Sequence, residues 1–288
     1  MMGRTGGAFM IPLQAFAWAF VLASGGSFTD ECDATWEPQN CWIYDGGKSL
    51  SLALVSNSSG SMIRSKRQFI YGTVSIMVQL VKGNSAGTVT TFYTSSSADN
   101  HDEIDFEFLG NETGQPYTIH TNVYANGTGG KEMQFVPWFD PTDGYHKYTI
   151  SWTPCMIAWY VDDVPIRVFR NYQQSNGVAF PKSQPMYAYS SIWSADDWAT
   201  QGGRVKTDWS HAPFLANYHG IDLGICECYG GDCIYGCAGA YGPPYCGGLT
   251  DEQRWKMQWV QDAHTIYNYC TDYRNGKVPG VECSLPQY

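Results

Sequence analysis

From Ser49 to about Val168 the chain alternates apolar and polar residues in short runs: "SLSLALV", "YGTVSIMVQLV", "GTVTTFYTSS", "EIDFEF", "YTIHTNVY", "HKYTISWT" and "IAWYVDDVPIRVF". Period-two alternation of this length, broken by Gly, Asn, Asp and Pro, predicts short strands pairing as antiparallel sheets in a sandwich. "YVDDVP" has the form of a tight hairpin turn, so Asp162 and Asp163 read as turn formers rather than catalysts. The run "QPMYAYSSIWSADDW" (184–198) predicts one more strand entering an aromatic loop. Towards the carboxyl end the period changes. Thr250 and Gln253 have the spacing of a capping box, and Trp255, Trp259, Ala263 and Ile266 recur at helical intervals. An amphipathic helix is predicted there, with its Trp stripe packed against the sheet.

Composition agrees with an all-β body. The 288 residues, 43% hydrophobic and 15% aromatic, suffice for one large domain or a domain with an extension. Strand and turn formers dominate, with 20 Tyr, 11 Trp, 31 Gly and 14 Pro. A formal charge of -10 argues against a nucleic-acid partner and favours a neutral or cationic one.

The opening "MMGRTGGAFMIPLQAFAWAFVLASGGS" carries one positive charge at Arg4, an apolar run from about Ala8 to Ala23, and small residues after it. Residues 1–26 therefore read as a secretory signal peptide, the run being short for a membrane anchor and interrupted by Gln14. Export turns the ten cysteines into candidate cross-links. Six lie between Cys226 and Cys270, at spacings that do not give the paired C-x2-C of a zinc ribbon. Proximity favours Cys32 with Cys41 and Cys270 with Cys283; it leaves Cys155 without a local partner and the cluster's connectivity open. Acceptor sequons at Asn57, Asn111 and Asn126 agree with a secretory route.

The densest chemistry lies in "HDEIDFEFLG" (101–110). Alternation places Ile104, Phe106 and Phe108 on one face and Glu103, Asp105 and Glu107 on the other. Same-face neighbours lie about 6.6 Å apart, so the Cα atoms of Glu103 and Glu107 are about 13 Å apart on a straight strand. Side chains leaning together can approach the separation of about 5 to 5.5 Å that a retaining glycosidase needs for a nucleophile and an acid/base. Asp105 between them can hydrogen-bond Glu103, and such crowding should raise at least one pKa, as a general acid at mildly acidic pH requires. Two rival readings are a solvated acidic edge strand and a metal site drawn from His101, Asp102, Glu103, Asp105 and His120; the stretch lacks the spacing of a calcium loop. The rings of "VPWF", "YAYSSIWSADDW" and "TDWS" could stack on sugar faces.

"HDEIDFEFLGN" resembles the active-site signature of xyloglucan endotransglucosylase/hydrolases, a plant branch of glycoside hydrolase family 16. The segments "GNSAGTV", "PYTIHTNVY", "WFDPT", "DDVPIRVF", "SADDWATQGGRVKTDWSHAPF" and "IYNYCTD" resemble family segments in the same order. The resemblance implies a concave β-jelly-roll sandwich (27–215) followed by a disulfide-rich carboxyl-terminal extension (216–288). It implies Glu103 as nucleophile, Glu107 as acid/base and Asp105 as the helper between them. Glu107, His120, Thr121, Asn122, Lys131 and Glu132 would line the glucan cleft, although "GKE" stands where the family usually reads "NRE". Asp197, Trp198, Gly202 and Arg274 would hold the acceptor, Asn111 would carry a glycan, and Cys270 would pair with Cys283. Pro38, Val55 and Met62 depart from the family pattern where donor contacts are expected, which leaves mixed-linkage glucan and cellulose beside xyloglucan as donors. The implied activity is transfer of a cleaved β-1,4-glucan to a xyloglucan acceptor by a monomeric enzyme secreted to the cell wall, without cofactor or metal. An endo-β-glucanase of the same fold and a silent carbohydrate-binding module are the alternatives.

Overall fold

The computed structural model describes residues 26–243 and 246–288; most of the expected signal peptide, residues 1–25, lies outside them. Two antiparallel sheets pack face to face in a jelly roll. One has eight strands in the order Cys32–Trp36, Ser61–Ser65, Tyr187–Ser194, Thr88–Ser95, Glu103–Leu109, Thr118–Tyr124, Met133–Phe135, Thr265–Asn268. The other has seven, in the order Val164–Arg170, Met156–Val161, His146–Trp152, Phe69–Gln79, Phe214–Glu227, Ser49–Leu54, Cys41–Tyr44. The turn between Met156–Val161 and Val164–Arg170 is formed by Asp162 and Asp163, both left-handed at φ 48° and 62°. Two successive positive φ values match the right-handed twist of a hairpin, so these two acids are turn formers.

The inward faces of the sheets make the core. Ile104, Phe106 and Phe108 are fully buried, and Tyr148 of the opposite sheet meets Phe106 edge-on at 5.6 Å and Phe108 at 4.5 Å. Neighbouring strands add Phe92, Ile119 and Val123, and the facing sheet adds Trp152 and Trp159. The apolar half of the carboxylate strand is thus gripped from both sides, which leaves its other half no choice of direction.

The carboxyl-terminal part is woven into both sheets. Phe214–Glu227 pairs with Ser49–Leu54 and Phe69–Gln79 inside the seven-stranded sheet, so the division expected at residue 215 falls within a central strand. Helix Asp251–His264 starts with the predicted capping box of Thr250 and Gln253. Its buried residues are Met257 and Val260, whereas Trp255 and Trp259 are 70% and 40% exposed. The Trp stripe is therefore not the core face; the helix is rotated so that Met257 joins Met156, Ala158 and Val168 on the far side of the seven-stranded sheet. Trp259 instead stacks edge-on against Trp138 at 5.5 Å. After the helix, Thr265–Asn268 pairs with Met133–Phe135 and becomes the last strand of the eight-stranded sheet.

Four disulfides brace this region: Cys226–Cys237, Cys228–Cys233, Cys270–Cys283 and Cys155–Cys246, the last joining residues 91 positions apart. The expected Cys32–Cys41 pair is absent, and both thiols are free. Cys32 lies on a strand of the eight-stranded sheet and points into the core, where burial pushes its thiol up to about 12. Cys41 belongs to the edge of the other sheet, its Sγ directed at the carbonyls of Trp36, Glu37 and Met62.

Emptying the grip on the carboxylate strand should be costly. Phe106→Ala is expected to lower stability by about 3–5 kcal/mol in chemical denaturation; a loss under about 1 kcal/mol would show that Phe106 does not anchor the strand.

Candidate active site

Register builds the site across the sheet. On the open face of Glu103–Leu109, Glu103 stands opposite Ser95 and Tyr124, Asp105 opposite Tyr93 and Asn122, and Glu107 opposite Thr91 and His120. The row through Glu107 continues in both directions, to Ser191, Met62 and Trp36 on one side and to Gln134 and Tyr267 on the other. Each of the eight strands contributes one residue to this row. At about 4.8 Å between strands it spans about 34 Å, enough for an extended chain lying across the sheet. At its centre is a pocket of about 190 Å³ lined by Thr91, Tyr93, Glu103, Asp105, Glu107, Ser191 and Trp193.

The three carboxylates do not share one environment. Asp105 is 6% exposed, and burial, the charges of Glu103 and Glu107 and a hydrogen bond with Glu103 hold its carboxyl well above the usual range. Burial and the neighbouring charges thus favour its neutral, protonated form beside Glu103. Glu107 is pushed up to about 7 by burial and then by Glu103 and Glu132. His120, with Nε2 3.7 Å from Glu107 Oε2, is held down to about 4 by burial and by the Arg167 charge. A neutral imidazole beside Glu107 leaves that carboxyl its proton. Gln134 Nε2 sits 3.0 Å from His120 Nδ1 and orients the ring. On the other flank His101 Nε2 lies 3.9 Å from Glu103 Oε1.

A second layer holds the strand from below. Trp159 Nε1 donates to the Asp105 carbonyl at 2.9 Å. Arg167, 1% exposed, donates to Thr121 O, Thr121 Oγ1 and Lys131 O. Thr121 pairs with Phe106 in the register and is fully buried, so its side chain faces the core. That corrects the expectation that Thr121 lines the cleft: alternation puts His120 and Asn122 on the open face and Thr121 beneath them.

Asn122, 4% exposed, accepts from Lys131 N through Oδ1. Lys131 is itself buried, its Nζ 3.4 Å from Gly129 O, and Glu132 is near enough to raise Glu107. Trp198, 39% exposed, lies 6.4 Å from the His120 ring and 6.0 Å from Trp193. Its loop is tied to the end of the carboxylate strand by Thr200, whose hydroxyl donates to Gly110 O and accepts from Gly87 N. Gly87 is left-handed at φ 75°, and a Cβ there would lie 2.1 Å from Thr207 Oγ1, so no larger residue fits. Asp197 and Gly202 are exposed on the same loop.

Arg274 is bound by both oxygens of Asp272 and lies 5.7 Å over the Tyr267 ring, next to the end of the transverse row. Asn111 follows the carboxylate strand and donates Nδ2 to Pro116 O. Of the residues that depart from the family pattern, Met62 enters the row and accepts from Tyr93 OH at 3.6 Å, Val55 is exposed, and Pro38 opens a short 3-10 turn. The rival metal set does not converge. Asp102 is buried away from Glu103 and accepts from Asn126 N.

Several site residues escaped the sequence reading. Gln134 and Tyr267 are single polar positions within short strands at the sheet edge; the alternation Met133, Gln134, Phe135 could have flagged the first. Of the three aromatic stretches only Tyr189, Trp193 and Trp198 border the row, whereas Trp138 packs on the helix and Trp209 on Phe214.

A jelly roll whose open sheet carries a carboxylate triad along one strand, crossed at Glu107 by a long aromatic-bordered row, has the architecture of a polysaccharide-active β-sandwich. Comparison with known proteins narrows this. Residues 28–211 match the model of glycosyl hydrolases family 16, and residues 242–283 match the xyloglucan endo-transglycosylase (XET) C-terminus. The chain is 49% identical over 259 residues to the probable xyloglucan endotransglucosylase/hydrolase protein 16 of Arabidopsis thaliana, covering 88% of each. It is 46% identical over 277 residues to xyloglucan endotransglucosylase protein 1 of Diospyros kaki, covering 93% of this chain and 94% of that one. Among solved structures, the β-glucanase of Bacillus licheniformis aligns with a TM-score of 0.52 at 26% identity, over 70% of this chain and 89% of that chain. The apo Crh5 transglycosylase aligns with a TM-score of 0.57 at 21% identity, over 70% and 81%, and shares the fold. The chain belongs to glycosyl hydrolase family 16 and, within it, to the xyloglucan endotransglucosylase/hydrolases.

The raised Glu107 is directly measurable. Carbon-detected NMR of labelled glutamate side chains should give Glu107 a titration midpoint of about 7; a midpoint near the ordinary glutamate value of about 4.3 would remove the basis for a proton held there.

Proposed function

We propose that the chain is a secreted plant cell-wall endo-transglycosylase that cuts a β-1,4-glucan backbone, xyloglucan foremost, and joins the fragment to a xyloglucan acceptor with retention of configuration. The observation that carries this reading is the placement of Glu103, Asp105 and Glu107 on one face of a central strand, with Glu107 keeping its proton to about pH 7. In the first step the Glu103 carboxylate forms a bond to the anomeric carbon, while the glycosidic oxygen leaves with the proton of Glu107. Protonated Asp105 hydrogen-bonds Glu103 and keeps it aimed. In the second step an acceptor hydroxyl gives its proton to Glu107 and attacks the anomeric carbon, releasing Glu103.

Transfer outpaces hydrolysis when an acceptor holds a high effective concentration beside the intermediate. His120, Gln134 and Tyr267 extend the row on one side of Glu107, Asn122 lies beside them opposite Asp105, and Trp198 stands over His120, which supports a long acceptor subsite. Lys131 and Glu132 border it, Asp197 and Gly202 sit on the Trp198 loop, and Arg274 flanks Tyr267. The names of the relatives agree with xyloglucan as substrate. We assign the amino-terminal segment to export, Asn111 to glycosylation, and the working form to a monomer in the apoplast.

Glu103→Gln should lower turnover of xyloglucan by at least about a thousand-fold, and retained turnover would overturn the nucleophile assignment. With labelled xyloglucan oligosaccharide present, polymer-bound label should exceed new reducing ends. Reducing ends that accumulate regardless of acceptor would make the enzyme a hydrolase. The same assay over mixed-linkage glucan and cellulose identifies the donor.

A further inference from the structure

The tryptophans of helix Asp251–His264 belong neither to the core nor to the cleft. Trp255 is 70% exposed and Trp259 40% exposed, one helical turn apart on the side away from buried Met257 and Val260. A single exposed aromatic ring is ordinary, whereas a ridge of them at a set spacing marks a contact surface. The ridge is also held still. Trp259 meets Trp138 edge-on at 5.5 Å and His264 at 4.9 Å, Trp138 meets Phe139 at 5.4 Å, and Phe139 stacks on His146 at 3.8 Å. His146 Nδ1 in turn lies 2.6 Å from Asp162 Oδ2 in the hairpin turn. These contacts set the plane of the Trp259 ring before anything binds, which lowers the ordering cost of a contact made there.

We propose that Trp255 and Trp259, buttressed by Trp138, form a second carbohydrate-binding surface, separate from the cleft, that anchors the enzyme on the flat face of cellulose, a neutral β-1,4-glucan sheet. Charge selects a neutral occupant. Arg254 is bound to Asp251, Lys256 Nζ lies 2.6 Å from Glu252, and Gln258 donates to Asp262 at 2.7 Å, so the acids and bases around the two indoles are matched within the helix. Indole faces set among balanced charges suit the C–H faces of sugar rings, and a chain of formal charge -10 disfavours an acidic polymer.

Shape selects a flat one. A helix is convex, and side chains standing out from it cannot enclose a single chain as a cleft does; they can lie against a plane. Position agrees. The helix passes directly into strand Thr265–Asn268, whose Tyr267 ends the transverse row, and Val136 N donates to His264 O at 2.9 Å, fixing the end of the helix to the neighbouring strand. The ridge therefore lies beyond the acceptor end of the open sheet. This last point rests on the reading of the row as the glucan cleft; charge and shape do not depend on it.

The test is adsorption of the full chain to microcrystalline cellulose in the cold, read as protein left in the supernatant, for the unaltered chain, Trp255→Ala and the pair Trp255→Ala with Trp259→Ala. Trp255→Ala should weaken the partition constant about two- to ten-fold and the pair should weaken it further, while kcat/KM for soluble xyloglucan stays unchanged. Trp255 buries little of its ring, so its single variant carries the test if the pair does not fold. Excess xyloglucan oligosaccharide, which occupies the cleft, should leave adsorption of the unaltered chain in place. No adsorption by the unaltered chain, equal adsorption by Trp255→Ala, or release by the oligosaccharide would overturn the proposal. So would a change of oligomeric state in Trp255→Ala by analytical ultracentrifugation, which would make the ridge a contact between copies. Transfer activity of the same preparations separates the two readings. A chain that adsorbs through Trp255 without transferring xyloglucan defeats only the proposed function, whereas active transfer with adsorption indifferent to Trp255 defeats only the role given to the ridge.

Discussion

Three carboxyl groups on one seven-residue strand repel each other, and the whole structure turns on how the chain keeps them together. Strand Glu103–Leu109 cannot rotate to relieve the crowding, because Ile104, Phe106 and Phe108 are fully buried on its other face. A shift of register by one residue would exchange the two faces and bury the acids among Tyr148 and Phe92. Hydrophobic burial thus acts as the clamp against which electrostatic repulsion works. The repulsion is relieved instead by protonation, with Asp105 and Glu107 both raised.

From that constraint the chemistry follows in a short sequence. A glycosidic bond needs one proton donor and one anionic nucleophile close together, and identical side chains can fill both roles only if their surroundings differ. Here the difference arises from neighbours across the sheet. Glu107 faces neutral His120 and feels Glu132, while Asp105 is buried between Tyr93 and Asn122. The loop with Trp198, pinned by Thr200 to Gly87 and Gly110, brings an aromatic ring to the same side as His120. The extension lengthens the sheet by one strand and so lengthens the surface over which a glucan can lie.

Local pattern made much of this legible in the sequence. The faces of the carboxylate strand, the Asp162–Asp163 turn and the Thr250 capping box depend on neighbours within a few residues, and all are found in the structure. What depended on distant pairing was not legible. The helix shows its Met257 and Val260 face to the sheet because of where strand Val164–Arg170 lies, and the tryptophans at helical spacing gave a false guide. The Cys155–Cys246 bridge joins segments 91 residues apart, and the neighbours Cys32 and Cys41 belong to different sheets. Thr121 was grouped with His120 and Asn122 by resemblance, although the period of two puts it on the opposite face. Arg167 was hidden within an apolar run, since nothing in "VPIRVF" says that its guanidinium reaches Thr121 and Lys131 beneath the open face.

The central claim is that Glu103 becomes covalently bonded to the sugar while Glu107 handles the proton. Trapping tests it most directly: the protein is incubated with an activated 2-fluoro glycoside of a xyloglucan oligosaccharide, digested, and its peptides sequenced by mass spectrometry. The account predicts a single added glycosyl group on Glu103. Label on Glu107, or turnover of the reagent with no labelled carboxylate, would contradict it.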